Sequence, residues 1–327
     1  MKIFSPGSLL LILYTLLFPV SDSQPKPTTQ EPGPANIVFR SADGGQTWQD
    51  ISTGLPANIR EENIRQDGFF ANDNGFYLRT GNGLYHSQRN SFFSFWTKEV
   101  FPGQQSSIAP GRNGILAYND EGRILQKTKG TGTWSPAYTS FHERDIRTVF
   151  ETAGGSIFIG CSKGLFLSTD SGKTWKQVQA GGWAMKLVES NGILLATSQR
   201  GIIRSADGGE HWEAVISEGG VGIAVECIQG GFAAITFNTK SNTRRVRTSY
   251  DGGKTWQPVD AGLPAQLSAA SIIQVGGNLF CGHPNGIFRS ADKGKTWKLM
   301  LPSVKDKVFN LFVSGNVIYA VPRNGGC

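Results

Sequence analysis

Five aspartates stand at the third position of one recurring octapeptide: "SADGGQTW" (41–48), "STDSGKTW" (168–175), "SADGGEHW" (205–212), "SYDGGKTW" (249–256) and "SADKGKTW" (290–297). A carboxylate at a fixed place can serve as a general acid or base, and acidic clusters can hold a cation. Asp170, Asp207, Asp251 and Asp292 follow one another at 37, 44 and 41 residues, and Asp43 lies 127 before them, about three such intervals, however. An array that spreads them around a ring keeps them too far apart to act on one bond. Their expected task is structural: a side-chain oxygen accepting backbone amides two or so residues on, which holds a turn closed. The glycines that follow allow the tight backbone, and the tryptophan packs on the strands behind.

The other reactive residues form no constellation. The compact acidic clusters "NDEG" (119–122) and "HERD" (142–145) are both read as solvated turns. A glycosidase pair would need two carboxylates roughly 5 to 9.5 Å apart across a glycosidic bond. His86, His142, His211 and His283 fall in different units, and His211 takes the threonine place of its octapeptide, so no metal site is expected. Cys161, Cys227, Cys281 and Cys327 show no Cys-x-x-Cys spacing. The first three sit in or beside apolar strand patterns and are expected to be buried thiols, with Cys327 exposed. No cofactor is implied.

What positions the octapeptides is a repeat. Trp48, Trp96, Trp134, Trp175, Trp212, Trp256 and Trp297 follow one another at 48, 38, 41, 37, 44 and 41 residues, a period that marks an array. Two copies have decayed: "GLYHSQRNSFFSFW" keeps Gly83, Ser87 and Trp96, and "GRILQKTKGTGTW" keeps Gly122 and Trp134. Ahead of each octapeptide lie a strand such as "GSIFIGCSKG" and, before that, one such as "DIRTVFETA". Each unit therefore holds about four short strands with no helix to cover them. Radial stacking of such sheets buries both faces, which predicts an all-β, seven-bladed β-propeller over 36–327. The C-terminal unit stops where a "GIFRSADGG" piece is due, and "NIVFRSADGGQTWQDIS" near the start is that missing half. The two ends are expected to close one composite blade.

The motif Ser-x-Asp-x-Gly-x-Thr-Trp resembles the Asp-box, the BNR or sialidase-type repeat of sialidases, several glycoside hydrolase propellers, the sortilin luminal domain and photosystem II assembly-factor-like propellers. The architecture is most similar to the photosystem II assembly-factor-like and WD40/YVTN/BNR-like secreted propellers. The resemblance implies the fold; it does not imply one function, because these families differ in what they do. A sialidase of the familiar type carries an Arg-Ile-Pro type motif, an arginine triad and a Tyr/Glu pair, and this chain has no Arg-x-Pro. Family 74 xyloglucan hydrolases place their cleft between two propellers, and one is expected here.

At the N-terminus, Lys2, the apolar run "SLLLILYTLLFPV" and the small residues of "SDSQ" read as a signal peptide over 1–23. The run is short of the roughly 20 apolar residues of a membrane span. "QPKPTTQEPGPA" follows, and 24–35 reads as a disordered leader. The chain is expected to be secreted, periplasmic or at the cell surface, and monomeric. Glycine at 42 of 327 residues and only 17% charged residues suit many short strands and turns. The net charge of +7 is scattered rather than blocked, which argues against a nucleic-acid partner and leaves room for an acidic one.

In such a ring the octapeptides share one rim, and the second-to-third strand turns and the links between blades share the other. That opposite face collects Asp120, Glu121, Arg144, Lys163, Trp183, Arg200, His283 and Arg323. Polar, charged and aromatic residues there make it the expected binding surface, with the cations converging on a central mouth. The leading expectation is a non-catalytic propeller that binds an extracellular protein or glycan. The alternative is a divergent Asp-box glycoside hydrolase acting on extracellular glycans.

Overall fold

The computed structural model describes residues 36–324 except 61–63, 66, 82, 90–95, 104, 106, 130–131 and 265–267. The expected signal peptide, the leader and Cys327 lie outside the described residues. Seven four-stranded antiparallel sheets are present, and no helix occurs among the described residues. Six are continuous in sequence: β3–β6 (69–99), β7–β10 (107–136), β11–β14 (148–180), β15–β18 (187–216), β19–β22 (220–258) and β23–β26 (271–302). The seventh joins β1 (Phe39–Ser41) and β2 (Gln49–Asp50) to β27 (Val308–Ser314) and β28 (Val317–Arg323) in the order β2-β1-β28-β27. Phe39 faces Ala320 and Ser41 faces Ile318 across that junction.

The first strand of each blade lies innermost. Contacts run from β27 to β3, β3 to β7, β7 to β11, β15 to β19, β19 to β23 and β23 back to β27. Covering by neighbours explains the sequence pattern: β12 (Ile157–Cys161) is buried along its whole length, whereas the outermost β14 (Lys176–Ala180) is polar and largely open to water. The core is a set of clusters in the clefts between blades. In one of them Phe76 of β4 (Gly75–Thr80) stacks on Tyr319 of β28 at 4.9 Å between ring centroids, so the composite blade and its successor share a core.

Each octapeptide is a self-contained hydrogen-bonded turn between the third and fourth strands. The buried amide inside it belongs to the glycine at the fifth position, and the serine satisfies it: Gly172 N–H donates to Ser168 Oγ at 2.8 Å, as Gly45 does to Ser41 at 2.9 Å and Gly294 to Ser290 at 2.7 Å. The serine hydroxyl in turn donates to the aspartate, at 2.8 Å from Asp170 Oδ1. The expected amide bonds two residues on are corrected here. Asp170 accepts the amides of Lys173 and Thr174, three and four residues on, and the Thr174 hydroxyl. These bonds favour the ionised carboxylate. The hydroxyl of Thr296, then its amide and the hydroxyl of Ser290, hold Asp292 down at about 2.

The octapeptide also fastens blades to one another. The second glycine has φ +93° at Gly209, and a Cβ there would lie 2.2 Å from Phe158 of the preceding blade; at Gly45 it would lie 2.3 Å from Phe280. Trp96, Trp134 and Trp297 donate their indole N–H to the carbonyls of Ile51, Val100 and Val259 at 2.7, 2.8 and 2.8 Å, each just past the outer strand of the preceding blade. Trp175 donates to Ser140 Oγ at 2.9 Å in the same way. Trp48, Trp212 and Trp256 instead bond the carbonyl of their own turn glycine. The two decayed copies have lost the aspartate but keep the inter-blade tryptophan.

Two outcomes follow for stability. Ser168→Ala leaves the buried Gly172 amide without its acceptor and should cost about 1 to 3 kcal/mol in chemical denaturation; Asp170→Asn, at an exposed carboxylate, should cost less. Deleting 36–50 removes β1 and β2 and bares the edge of β28, so the protein should lose its single cooperative unfolding transition or aggregate. Unfolding as sharp as that of the intact chain would contradict closure through the composite blade.

Candidate functional site

Antiparallel strand order puts the second-to-third turns and the inter-blade links on the face opposite the octapeptides. The structure builds a network at the inner edge of that face, and it starts from Asp67, two residues before β3 (Phe69–Asn72). The Asp67 carboxylate accepts the hydroxyl of Ser107, at the start of β7 (Ser107–Gly111), at 2.5 Å, and Arg65 Nε at 3.3 Å. Its carbonyl takes the Ile108 amide at 2.8 Å, which ties two neighbouring blades together. Arg65 reaches on to Asp120, with Nη2 3.7 Å from Oδ1. Burial works against the Arg65 charge, but Asp67 and Asp120 outweigh it and hold the guanidinium more firmly protonated.

Around this pair lie further arginines, from the same blade and from others. Arg79, near the end of β4, has its charge disfavoured by burial and by Arg65, with Asp67 opposing. Arg323, the last residue of β28, is disfavoured first by burial, with Asp67 opposing and Arg65 adding to the penalty. Tyr118, the last residue of β8 (Gly114–Tyr118), is buried beneath them and donates to the carbonyl of Arg147 at 3.3 Å. Burial and the nearby Asp67 push its phenol well above the usual range. The Arg147 guanidinium stacks over Trp183 at 4.4 Å from the ring centroid. The Nε atoms of Arg79 and Arg147 are buried and have no hydrogen-bond partner among the described residues. Of these four guanidiniums, Arg65 alone is ion-paired with the two carboxylates among the described residues.

The residues singled out from the sequence divide accordingly. Asp120 and Arg323 belong to this network, and Trp183 carries Arg147. Lys163 sits in the next turn, where its ammonium pairs with Glu143 at 2.7 Å. Arg200 is exposed in its own turn, held by a backbone bond from its amide to Ser198 Oγ, and Arg144 and Glu121 are exposed as well. His283 is a correction, because it is only 2% exposed. Its Nδ1 accepts the Asn285 amide at 3.1 Å, which leaves Nε2 as the donor to the carbonyl of Pro264 at 3.0 Å. Both ring nitrogens are spent inside the fold. Cys227 is a second correction: Cys161 and Cys281 are buried, but Cys227 is exposed on β19 (Gly220–Ile228).

Arg65, Asp67, Arg79 and Arg147 were not singled out from the sequence. Three of them share a signal: Arg65, Asp67 and Arg147 stand just before the innermost strand of a blade, in "RQDGFFA" and "RDIRTVF", where the link delivers its last polar residues to the ring centre. The opposite rim is not featureless either. Tyr250 is 48% exposed there, with the Lys293 ammonium 5.5 Å from its ring centroid. No cluster of three or more His, Cys, Asp or Glu residues able to hold a metal ion occurs among the described residues.

Comparison with known proteins agrees with this geometry. The BNR/Asp-box repeat model matches residues 247–258. The chain is an Asp-box β-propeller. Among solved structures it is similar to the GH74 xyloglucanase of Xanthomonas campestris (18% identity, TM-score 0.61), covering 84% of this chain and 52% of that one. It is also similar to YCF48 bound to D1 peptide (14%, TM-score 0.54), covering 88% of this chain and 94% of that one. A third is the extracellular domain of the one-component system BT4673 of B. thetaiotaomicron (13%, TM-score 0.57), covering 78% and 38%. This propeller therefore spans about half of the xyloglucanase and less of the BT4673 domain, and at these identities the likeness concerns the fold. No curated protein matches the chain in sequence.

Two histidines give a pH signature. Burial lowers both His283 and His86 below the usual 6.5. The unfolded propeller takes up protons as pH falls through about 6.5 while the folded one resists, so their contribution is full above that pH and is lost below it. Denaturation midpoints should fall between pH 7.5 and 5.5, and His283→Asn with His86→Asn should flatten that slope.

Proposed function

We propose that this propeller is a non-catalytic, extracytoplasmic binding module that holds an acidic group of a protein or glycan partner on the face opposite its Asp-boxes. The observation that carries the proposal is the arginine rim: Arg79 and Arg323 lie near an Asp67 whose oxygens are already engaged by Arg65 and Ser107, and Arg147, whose Nε has no partner among the described residues, follows beside Tyr118. Guanidiniums whose desolvation is not repaid by carboxylates inside the fold gain most from an anion arriving outside it. Lys163, Arg200 and Arg144, farther out on the face, add a long-range field that draws such a partner in. An extracytoplasmic place is supported by the N-terminal apolar run and by the extracellular domains among the similar folds. No helix among the described residues is long and apolar enough to cross a membrane.

The hydrolase alternative draws on the likeness to the GH74 fold, and its best carboxylate pair is Asp67 with Asp120. Both are ion-paired with Arg65. An acid catalyst has to give a proton to the leaving oxygen, and a carboxylate held by a guanidinium is poorly set up to do so.

With hexaglutamate as an acidic probe, Arg147→Ala and Arg323→Ala should each weaken binding about tenfold or more, the worth of one charge-assisted hydrogen bond, and should lower its salt dependence. Arg200→Ala should weaken it less. Thermal stability should change little at Arg200. Binding untouched by all three substitutions, or robust turnover of xyloglucan or sialosides by the native protein, would overturn the proposal.

A further inference from the structure

A second feature of the same face lies outward from the arginine rim, between the composite blade and its successor. The link that leaves β2 carries Pro56, Asn58 and Ile59 past the top of the next blade, and an open groove of about 500 Å³ runs between them and Arg79, Thr80, Gly81, Tyr85 and Lys98. Tyr85 lies on β5 (Gly83–Gln88) and Lys98 on β6 (Thr97–Glu99). Apolar surface comes from Pro56, from the buried Ile59 and from the ring of Tyr85.

Its polar groups are unspent. Tyr85 is only 7% exposed, lines the groove, and has no hydrogen-bond partner for its hydroxyl among the described residues. Thr80, 3% exposed, likewise makes no side-chain hydrogen bond among them. Lys98 is exposed and has no carboxylate within ion-pair distance among the described residues, and neither has Arg79. Gly83 keeps the place open: a Cβ there would lie 2.9 Å from the Tyr85 hydroxyl and 2.7 Å from its ring.

We propose that this groove binds an acidic saccharide unit, a uronate, as the glycan subsite of the face. The proposal rests on the reading of that face as the binding surface, and it adds a site and a ligand class of its own. The carboxylate meets the Lys98 and Arg79 cations. The sugar hydroxyls meet the Tyr85 and Thr80 hydroxyls and the Asn58 amide, and the apolar face of the ring lies on Pro56 and Ile59. Several neutral donors and acceptors beside an apolar floor match a polyhydroxylated ring better than an acidic peptide, which brings one carboxylate per residue and few hydroxyls.

The test is calorimetric titration of the full chain with glucuronate, with glucose and with hexaglutamate. Glucuronate should bind at least about tenfold more tightly than glucose, since glucose lacks the charge. Tyr85→Phe, which keeps the ring, and Lys98→Ala, at an exposed position, should each weaken glucuronate binding about five- to tenfold. Neither should move the hexaglutamate affinity by more than about twofold, whereas Arg147→Ala should do the reverse. Four outcomes overturn the groove site: no glucuronate binding, equal affinity for glucose, indifference to both Tyr85→Phe and Lys98→Ala, or hexaglutamate lost on those two substitutions in place of glucuronate. Because the arginine-rim reading is tested by Arg147 and hexaglutamate, the two can fail independently.

Discussion

A four-stranded sheet with apolar side chains on both faces cannot stand in water, and this chain has no helix among its described residues to cover one. Each blade must therefore be covered by two others, and the whole structure follows from that requirement. The ring has to close, so the first and last segments must meet in one sheet. Neighbouring blades have to approach closely, so the Asp-box glycine can carry no side chain where Phe158 or Phe280 is seated against it. The polar residues that cannot enter the clefts are driven to the two rims, and one rim is already committed to the boxes. The other is left to the turn and link residues and the arginines.

The same constraint explains why the box survives in parts. Its serine serves the buried amide, its aspartate organises the exposed bend, and its tryptophan in four units fastens the turn to the blade before it. These are separable duties. In the units of Trp96 and Trp134 the sequence has lost the aspartate while the inter-blade bond remains, as expected if covering the faces matters more than the shape of one turn.

Much of this was legible in the sequence because it is periodic. The spacing of seven tryptophans counts the blades, and the half unit near each end identifies the closure. The aspartate bonds were only half legible: residue type announced a turn, but whether the carboxylate or the serine would reach the inner amide depends on coordinates. The arginine rim was harder to see. Asp120, Arg147 and Arg323 come from three other blades, and only the ring brings them to the same rim as Arg65 and Asp67. His283 looked like a free turn residue until the Pro264 carbonyl, from a link nineteen residues earlier, proved to be its partner. Cys227 sits in an apolar run, yet the innermost strand turns that position outward.

The composite blade has a mechanical side. β1 descends toward its Asp-box while β28 climbs away from its own turn, so the two meet antiparallel, with Phe39 beside Ala320 and Arg323 beyond. The chain thus enters at residue 36 and leaves at 324 from the same end of one strand pair, on the face that carries the arginine rim. A pull applied between those points would load the short β1–β28 ladder one pair after another, as a zipper, where shear would load all its pairs together. A ring closed through seven interlocked clefts would then yield to tension at a single seam, on the side that carries the arginine rim.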